Sequence, residues 1–503
     1  MHFFFVLRTG FSTFVGRNTI IKTPDNEYMQ RLLTLIILTG CTLCVLADHL
    51  QDGTQRIRYK DGPAYIYRIS LTDKEGTPFS LDHPTRFLSR RAIERRKRQG
   101  LGIDSTDLPV SPHYIRLINK EGISIVGKSR WQNTVLVRLK DTTLVDGIRQ
   151  LPCVKACRLV WLSPDSITPD TRIKYHDHFE PHDSIANEIY GTAADQIYNL
   201  KGNQLHKAGL LGKGMMIAII DGGFKNADRI PELQKIDIRG WRDFVSPQEP
   251  VLFSETDHGT KVLSIMGTYH PHVFIGTAPK ASYWLLRSED QQTEQEVEED
   301  YWTMAAEFAD SVGCDVINSS LGYYEYDHKW MSYKQWQLDG NTAFISRSAA
   351  LLAQKGIVLC NSAGNSGMGP WKKIGVPADA DHIITVGAIS DIETQCIAAF
   401  SSIGPTQDGR VKPDVVAMGA PARVISGRGT ITSSMGTSFS SPVVCGLVAC
   451  LWQAMPHKTA SEIIELIQHT GNNCQHPDNI YGYGVPDFWQ AYLNELKNKN
   501  DER

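Results

Sequence analysis

Residues Gly436–Pro442 read Gly-Thr-Ser-Phe-Ser-Ser-Pro and lead into a run whose apolar residues recur at helical spacing as far as Leu451. Proline is tolerated best in the first turn of a helix, where the backbone N–H has no partner, so Pro442 predicts a helix that begins near Ser438. Unpaired N–H groups and the positive dipole end at a helix start favour negative charge. Gly436 keeps bulk away from the hydroxyl. The stretch therefore suits a nucleophile, and an ordinary N-cap serine is the alternative.

A serine nucleophile needs a base and a carboxylate, and two earlier segments offer them. The apolar run Met215–Ile220 ends in Asp221 and two glycines, a pattern typical of a buried parallel strand with an acid at its carboxyl end. His258 is followed by Gly-Thr and then by apolar residues on a helical period, which places it at or near a helix start. The chain order is aspartate, histidine, serine.

These three motifs, in this order, resemble those of the subtilisin-like (subtilase, S8-type) serine endopeptidases. The resemblance runs from about Asn203 to Trp489. It implies that Asp221, His258 and Ser438 form a catalytic triad that hydrolyses peptide bonds through an acyl-enzyme. It also implies that the chemistry needs no cofactor. Many subtilases bind structural calcium, but the sequence assigns no ligands for it and no metal site.

Further segments resemble the oxyanion and substrate-binding parts of the same family. The segment Asn361–Gly367 resembles the one that carries the oxyanion asparagine, which here is Asn365. The segment Ser319–Gly322 resembles the strand whose free edge pairs with extended substrate. The resemblance implies these substrate-binding residues: Ser320, Leu321, Gly322, Ala363 and Gly364. The chain departs from the common pattern at Lys261 and at Ser440, neither of which replaces a reacting atom.

The residues from about Gln204 onward alternate apolar strands with amphipathic helices, which predicts an α/β fold with a doubly wound, mostly parallel sheet. Such sheets place their sites at the carboxyl ends of the strands. Asp221, Ser319–Ser320 and Asn361–Asn365 all lie at or just after predicted strand ends. We therefore expect them to converge on one edge of the sheet, independently of the family resemblance.

The chain has 503 residues and a net charge of −3, so more than one folded unit is expected and its composition does not indicate a nucleic-acid partner. We predict five regions, which are a signal region 1–47, a small α+β domain 48–163, a linker 164–202, a catalytic domain 203–495 and a polar tail 496–503. A monomer that acts on protein or peptide substrates is expected. The eight cysteines beyond the signal show no metal-binding spacing, and those in apolar runs are predicted to be core residues.

The N-terminus contains an export signal that begins at Met29, where we place the true translation start. The apolar run Leu32–Leu46 is shorter than the roughly 20 residues of a membrane-spanning helix and suits a signal peptide cleaved after Ala47. The alternative is a bacterial lipobox that would leave Cys41 lipidated. The mature protein is thus predicted to be secreted or periplasmic, without a transmembrane segment.

The domain 48–163 contains the alternating strands Ala64–Leu71 and Asn133–Leu139 and a predicted helix Pro84–Gln99. Its position resembles that of the subtilase propeptide, which assists folding and plugs the active-site cleft until it is cut away. The resemblance implies an intramolecular chaperone and inhibitor, with maturation cleavage between Ser166 and Ala194.

Two charged runs invite functional readings. The basic residues within Arg90–Arg98 are predicted to form a solvated helix face, because a nucleic-acid site would need aromatic or groove-fitting partners. The acidic run Glu289–Asp300 lacks the pattern of a calcium loop and is predicted to be a solvated stretch that leads into a helix N-terminus. The loop Gly322–Asn341 either shapes the substrate cleft or covers the core.

Two other functions remain open at this stage. An inactive subtilase-like binding protein would keep the fold, but all four chemical residues are retained. A serine esterase would show a Gly-x-Ser-x-Gly elbow and the order serine, acid, histidine, and both features disagree with this sequence.

Overall fold

A computed structural model of the chain describes residues 57–58, 62–167, 179–183 and 188–501. The predicted signal, the start at Met29 and the lipidation site at Cys41 lie outside them. The chain divides into two compact units, of which the smaller contributes Ile57 and Ser166–Ile167 to the described residues and the larger contributes the others. In the part of the chain that is described, no helix is long and apolar enough to cross a membrane.

The N-terminal part of the larger unit is a four-stranded antiparallel sheet with helices. Its strands are β2 (Tyr65–Leu71), β3 (Ile123–Ser129), β4 (Thr134–Leu139) and β5 (Val154–Leu162), in the order β3-β4-β2-β5. Two short strands, β1 (Ile57–Arg58) and β6 (Ser166–Ile167), precede and follow these strands in the chain. The helices are α1 (Arg90–Arg98), α2 (Pro112–Ile118) and α3 (Leu144–Arg149). The predicted α+β character is present.

The predicted helix Pro84–Gln99 is wrong in its first half. Residues Pro84–Arg86 form a single 3-10 turn, and the chain then becomes extended at Ser89 before α1 begins at Arg90. The reason is a side-chain cap, because the Ser89 hydroxyl accepts a hydrogen bond from the Ala92 N–H at 3.1 Å. Serine at this position thus starts a new helix instead of continuing the earlier turn.

The second part of the larger unit is built on a seven-stranded sheet in the order β15-β14-β13-β12-β7-β11-β8. All of its strand pairs are parallel. Its strands are β7 (Met216–Asp221), β8 (Asp237–Asp243), β11 (Ser282–Arg287), β12 (Val316–Ser319), β13 (Val358–Ser362), β14 (Ile384–Ile389) and β15 (Val415–Met418). Two short hairpins lie outside this sheet: β9 (Tyr269–His270) with β10 (Phe274–Ile275), and β16 (Ala422–Ile425) with β17 (Ile431–Ser434).

Helices cover both faces of this sheet, which confirms the doubly wound prediction. They are α4 (Ala194–Tyr198), α5 (Gly202–Lys207), α6 (His258–Gly267), α7 (Val297–Val312), α8 (Phe344–Gln354), α9 (Thr437–Gln453), α10 (Ala460–Gln468) and α11 (Phe488–Asp501). In β7, Ile217 and Ile219 belong to one core, and Ala218 and Ile220 belong to the core on the opposite face. This period of two in a fully apolar strand is what burial on both faces requires.

The N-terminal sheet shares one of these cores. Val135 and Val137 of β4 face the core of their own domain, whereas Leu136 between them packs in the cluster that also contains Trp302 of α7 and Leu352 of α8. The two faces of β4 are therefore both buried. The cysteines predicted to be core residues are buried and free: Cys360, Cys445 and Cys450.

Both charged runs that the sequence predicts to be solvated are partly buried, which corrects that prediction for the buried members. In the basic run, Arg95 and Arg96 have no exposed surface. In the acidic run, Glu298, Glu299 and Asp300 are at most 2% exposed, although the run does lead into a helix start as expected. The cause is tertiary, since arginines of the N-terminal domain pair with acids of α7 that lie more than 200 positions away.

Candidate active site

Asp221 and His258 form a hydrogen-bonded pair at the carboxyl edge of the sheet. Asp221 is the last residue of β7, an interior strand of the sheet, and His258 is the first residue of α6. The imidazole Nδ1 lies 2.8 Å from Asp221 Oδ1, which also accepts the Gly222 N–H at 2.8 Å. Since Asp221 occupies Nδ1, the nitrogen left for a reacting group is Nε2.

The environment of His258 favours its protonated form. Burial by itself would lower the pKa of His258, but the neighbouring Asp221 carboxylate outweighs burial and raises the pKa above its ordinary value. The carboxylate is fully buried, whereas a third of the histidine side chain is exposed. The pair can therefore accept a proton from a group that approaches from the open side.

Ser438 lies in the first turn of α9, as the sequence predicts, but the argument from Pro442 is wrong in one respect. The helix begins at Thr437, so Pro442 lies inside it. Proline has no N–H to donate to the Ser438 carbonyl one turn earlier. That carbonyl instead accepts the Ser320 hydroxyl at 2.8 Å. The hydrogen bond from Ser320, which directly follows β12, thus replaces the missing helical hydrogen bond.

The Ser438 hydroxyl is turned away from the imidazole. Its Oγ donates to the Ser320 carbonyl at 3.3 Å and makes no hydrogen bond to His258. The next residue, Phe439, brings the two segments together, because its ring centroid is 5.7 Å from that of the His258 ring. Catalytic hydrogen bonds are often absent or long without substrate, and a rotation about χ1 changes the acceptor of a serine hydroxyl.

Asn365 is held by its carbonyl oxygen, which leaves its amide N–H groups free to donate. Thr437 donates twice to Asn365 Oδ1, from its backbone N–H at 2.9 Å and from its hydroxyl at 3.0 Å. A backbone N–H can only donate, so this contact assigns the oxygen and places Nδ2 on the other side. Asn365 is exposed, and the N–H of Ser438 in the first turn of α9 has no intrahelical acceptor. The two donors suit an oxyanion.

The predicted substrate-binding residues lie at the same edge. Asn361 at the end of β13 donates to the Leu321 carbonyl at 3.2 Å, and the Gly364 N–H donates to the Thr437 hydroxyl at 3.1 Å. Gly322 is exposed, and a Cβ there would meet nothing closer than 3.6 Å. The structure therefore brings Ser320–Gly322 and Ala363–Gly364 together with the triad residues.

Sequence reasoning missed two residues at this edge. Thr437 orients Asn365, and its only signal is its place between Gly436 and Ser438. Glu289 follows β11, and its Cβ lies 3.4 Å from the position of a Cβ on Gly222. Its carboxylate accepts the Tyr323 hydroxyl.

Glu289 also belongs to the group of carboxylates that could share a metal ion. Among the described residues, this group consists of Glu289, Glu294 and Glu298, whose oxygens lie within 4.8 Å of one another. Burial, followed by repulsion between neighbouring acids, raises the pKa of Glu294 to about 8, and burial raises that of Glu289 to about 7. Both Glu298 oxygens accept backbone N–H groups, at 2.7 and 3.1 Å. Protons can thus neutralise the group near neutral pH, and it is not assigned as a metal site.

Comparison with known proteins agrees with this geometry. The model of the "Subtilase family" matches residues 212–484, which is more than half of the chain. The chain belongs to the subtilase family. A second model, "Peptidase S8 propeptide domain, Bacteroidota", matches residues 66–174. The protein is thus a subtilase-type serine endopeptidase with an N-terminal propeptide domain.

Two relatives show how similar this chain is in sequence to other members of the family. Subtilisin NAT from Bacillus subtilis subsp. natto is 27% identical to this subtilase over 305 residues, which are 60% of this chain and 71% of that protein. Serine protease AprX from Bacillus subtilis (strain 168) is 29% identical over 307 residues, which are 55% of this chain and 65% of AprX.

Proposed function

We propose that this subtilase cleaves peptide bonds of proteins through an acyl-enzyme formed on Ser438. In this mechanism His258 takes the proton of the Ser438 hydroxyl and later delivers it to the leaving amine, while Asp221 orients the ring and stabilises its protonated form. The observation that carries the proposal is the 2.8 Å contact between Asp221 Oδ1 and His258 Nδ1, which leaves Nε2 available beside a helix start. The mechanism requires the Ser438 hydroxyl to exchange the Ser320 carbonyl for the imidazole as its hydrogen-bond acceptor.

The oxyanion is stabilised by the Asn365 amide and the Ser438 N–H. Donors held before the reaction cost no reorganisation when charge develops, and this is the largest electrostatic contribution in acyl transfer. The two bonds from Thr437 to the Asn365 oxygen support this role, because they hold the amide in one orientation. No cofactor takes part in the proposed chemistry.

Extended substrate pairs with the free edge of Ser320–Gly322 and reaches the space beside Ala363–Gly364. The exposed Gly322, with open space around its Cα, supports this placement.

We further propose that the protein is exported and that its N-terminal domain inhibits the cleft until the linker is cut. The apolar run Leu32–Leu46 supports export, and the match of a propeptide model to residues 66–174 supports the inhibitory role.

A fluorophosphonate probe tests the nucleophile. The purified protein should be labelled, and Ser438→Ala should lose all labelling. Ser440→Ala should keep it, because Ser440 is a fully buried serine two positions away in the same helix. Labelling that persists in Ser438→Ala would refute the assignment.

Casein hydrolysis measured beside hydrolysis of a short-chain ester then distinguishes a peptidase from an esterase. A kcat/KM for the ester that exceeds the value for peptide substrates would contradict the proposed substrate class.

A further inference from the structure

Helix α1 (Arg90–Arg98) belongs to the N-terminal domain and lies in the connection between β2 and α2. Arg90 and Arg98 of this helix are exposed, whereas two of its arginines do not face solvent. Arg95 and Arg96 are fully buried against α7, α8 and the turns that follow these helices. A helix with buried arginines needs partners that satisfy each guanidinium.

The first partners are backbone carbonyls at the C-terminal ends of two helices in the catalytic domain. Arg95 donates to the Cys314 carbonyl at 2.5 Å and to the Lys355 carbonyl at 3.0 Å, just beyond α7 and α8. Gln99 donates to the Gly356 carbonyl at 3.0 Å. Carbonyls just beyond a helix C-terminus lie near its negative dipole end, so the Arg95 guanidinium is well matched to them.

The second partners are buried carboxylates. Asp310 of α7 pairs with Arg95 at 2.5 Å and with Arg96 at 2.8 Å. Arg96 also pairs with Asp107 of its own domain at 2.6 Å, and Lys355 of the catalytic domain contacts Asp107 at 3.1 Å. Burial would raise the pKa of Asp310, but the arginines outweigh it and hold the pKa below its ordinary value. The charges are therefore balanced only when both domains are present.

This contact lies at the edge of the sheet opposite the active site. Arg91 binds the Gly214 carbonyl at 2.9 Å and pairs with Asp315, and these residues immediately precede β7 and β12. Asp221 is at the other end of β7, a strand of six residues. At about 3.3 Å per residue, the strand separates the two edges by roughly 20 Å.

The N-terminal domain makes a different contact nearer the catalytic edge. At the end of β5, the Leu162 N–H donates to Gln295 and the Leu162 carbonyl accepts from Gln295, both at 2.9 Å. A cut in the linker after Leu162 frees the chain beyond this contact. It changes no residue of the α1 contact.

We propose that α1 is a second anchor, independent of the cleft, which keeps the N-terminal domain attached as a lasting subunit after the linker is cut. The anchor consists of Arg91, Arg95, Arg96 and Gln99 on α1 and its end, with Asp310, Asp315 and the carbonyls of Cys314, Lys355 and Gly356 as their partners. The N-terminal sheet also packs on α7 and α8, where Arg68 pairs with Asp300, so loss of the contact at Gln295 leaves the domain held by this packing and by α1. This proposal rests on the proposed function, because it assumes that the linker is cut when the enzyme matures.

The test uses the full chain in a form that cannot cut itself. Ser438→Ala is combined with a viral-protease recognition sequence inserted after Asp165, which is exposed. After cleavage with that protease, the catalytic piece is immobilised and release of the N-terminal piece is followed with time. We expect the piece to stay bound, and release during a single wash would overturn the proposal.

Variants of the anchor locate the contact. Asp310→Asn should speed release about a hundredfold or more, because removal of one partner of a buried ion pair leaves uncompensated charge. Gln99→Ala removes two neutral hydrogen bonds and should speed release of the N-terminal piece about 5- to 100-fold. This variant tests the anchor if Asp310→Asn does not fold. Arg90→Met is the matched control and should leave the release rate unchanged, because this arginine of the same helix is exposed and its side chain forms no hydrogen bond or ion pair with the described residues. Equal release rates for the three variants would refute the anchor.

The same cut chain with Ser438 intact tests whether the attached domain is compatible with activity. We expect the washed complex, which still holds the N-terminal piece, to hydrolyse a small chromogenic peptide. Peptide hydrolysis that rises only in proportion to the amount of N-terminal piece released would contradict the proposal that this piece remains as a subunit of the active enzyme. If neither the complex nor the freed catalytic piece hydrolyses any peptide, the proposed function fails, and the binding measurements still decide the anchor.

Discussion

Thr437→Val should slow the chemical step without weakening substrate binding. The Thr437 hydroxyl is fully buried, donates to Asn365 Oδ1 at 3.0 Å and accepts the Gly364 N–H at 3.1 Å. Valine has the same shape and lacks the hydroxyl, so the carboxamide keeps only the bond from the Thr437 backbone at 2.9 Å. The amide then spends less time in the orientation that serves the oxyanion.

The size of the effect follows from the bond removed. A hydrogen bond of this kind contributes about 0.5–1.5 kcal/mol, and 1.36 kcal/mol in a barrier is tenfold in rate, so kcat should fall about 2- to 13-fold. Removal of the oxyanion asparagine itself costs about 2.7–4 kcal/mol in the relative subtilisin, so Asn365→Ala should lower kcat about 10²- to 10³-fold. KM should change little in either variant, because the oxyanion exists only in the transition state.

A double-mutant cycle in steady-state peptide hydrolysis checks the reasoning. If Thr437 acts through Asn365, then Thr437→Val should lower kcat less than about twofold in the Asn365→Ala background. Ser440→Ala is the control, since its hydroxyl bonds the Thr437 carbonyl at 3.0 Å and touches neither Asn365 nor a triad residue. Full additivity of the two substitutions, or an effect confined to KM, would refute the positioning role of Thr437.

Two further outcomes follow from the same geometry. Because His258 must be neutral to act as a base, kcat/KM should fall as the pH drops through the pKa of His258. Asp221→Asn removes the carboxylate that raises this pKa, so the acidic limb of the pH profile should move to lower pH while kcat falls by about 10⁴. An acidic limb that does not move would contradict the pairing of Asp221 with His258. In an inactive Ser438→Ala background, Ser320→Ala should lower the free energy of unfolding in urea by about 1–3 kcal/mol, since it removes the donor to the buried carbonyl of residue 438. Adding Pro442→Ala should restore part of this loss by supplying a backbone N–H, and the absence of any rescue would exclude the proposed replacement of the helical bond.

Much of the fold was accessible from local patterns. The predicted alternation of apolar strands and amphipathic helices is present, for example in β11 (Ser282–Arg287) and α7 (Val297–Val312). Apolar periodicity and end signals are encoded within a dozen residues, so they need no knowledge of the rest of the chain. The same holds for the arrangement of Asp221 at a strand end and of His258 and Ser438 at helix starts.

The failures of prediction at the charged runs concern groups whose partners are remote in the chain. Arg95 and Arg96 look like a solvated basic face, and Asp310 looks like one acid among many, until the N-terminal domain packs on α7. The break at Ser89 was missed for a smaller reason, since a serine can either cap a helix or continue one.

Local motifs and their order along the chain indicated candidates for the nucleophile, the base and the acid, and the family resemblance indicated Asn365 as a candidate oxyanion donor. The hydrogen-bond partners of these groups became known only from the folded arrangement: Ser438 donates to Ser320, Thr437 donates to Asn365, and Arg95 of α1 donates to carbonyls at the ends of two helices. Hydrogen bonds and ion pairs depend on distances of about 3 Å between segments that folding brings together, and no pattern within a segment encodes such distances.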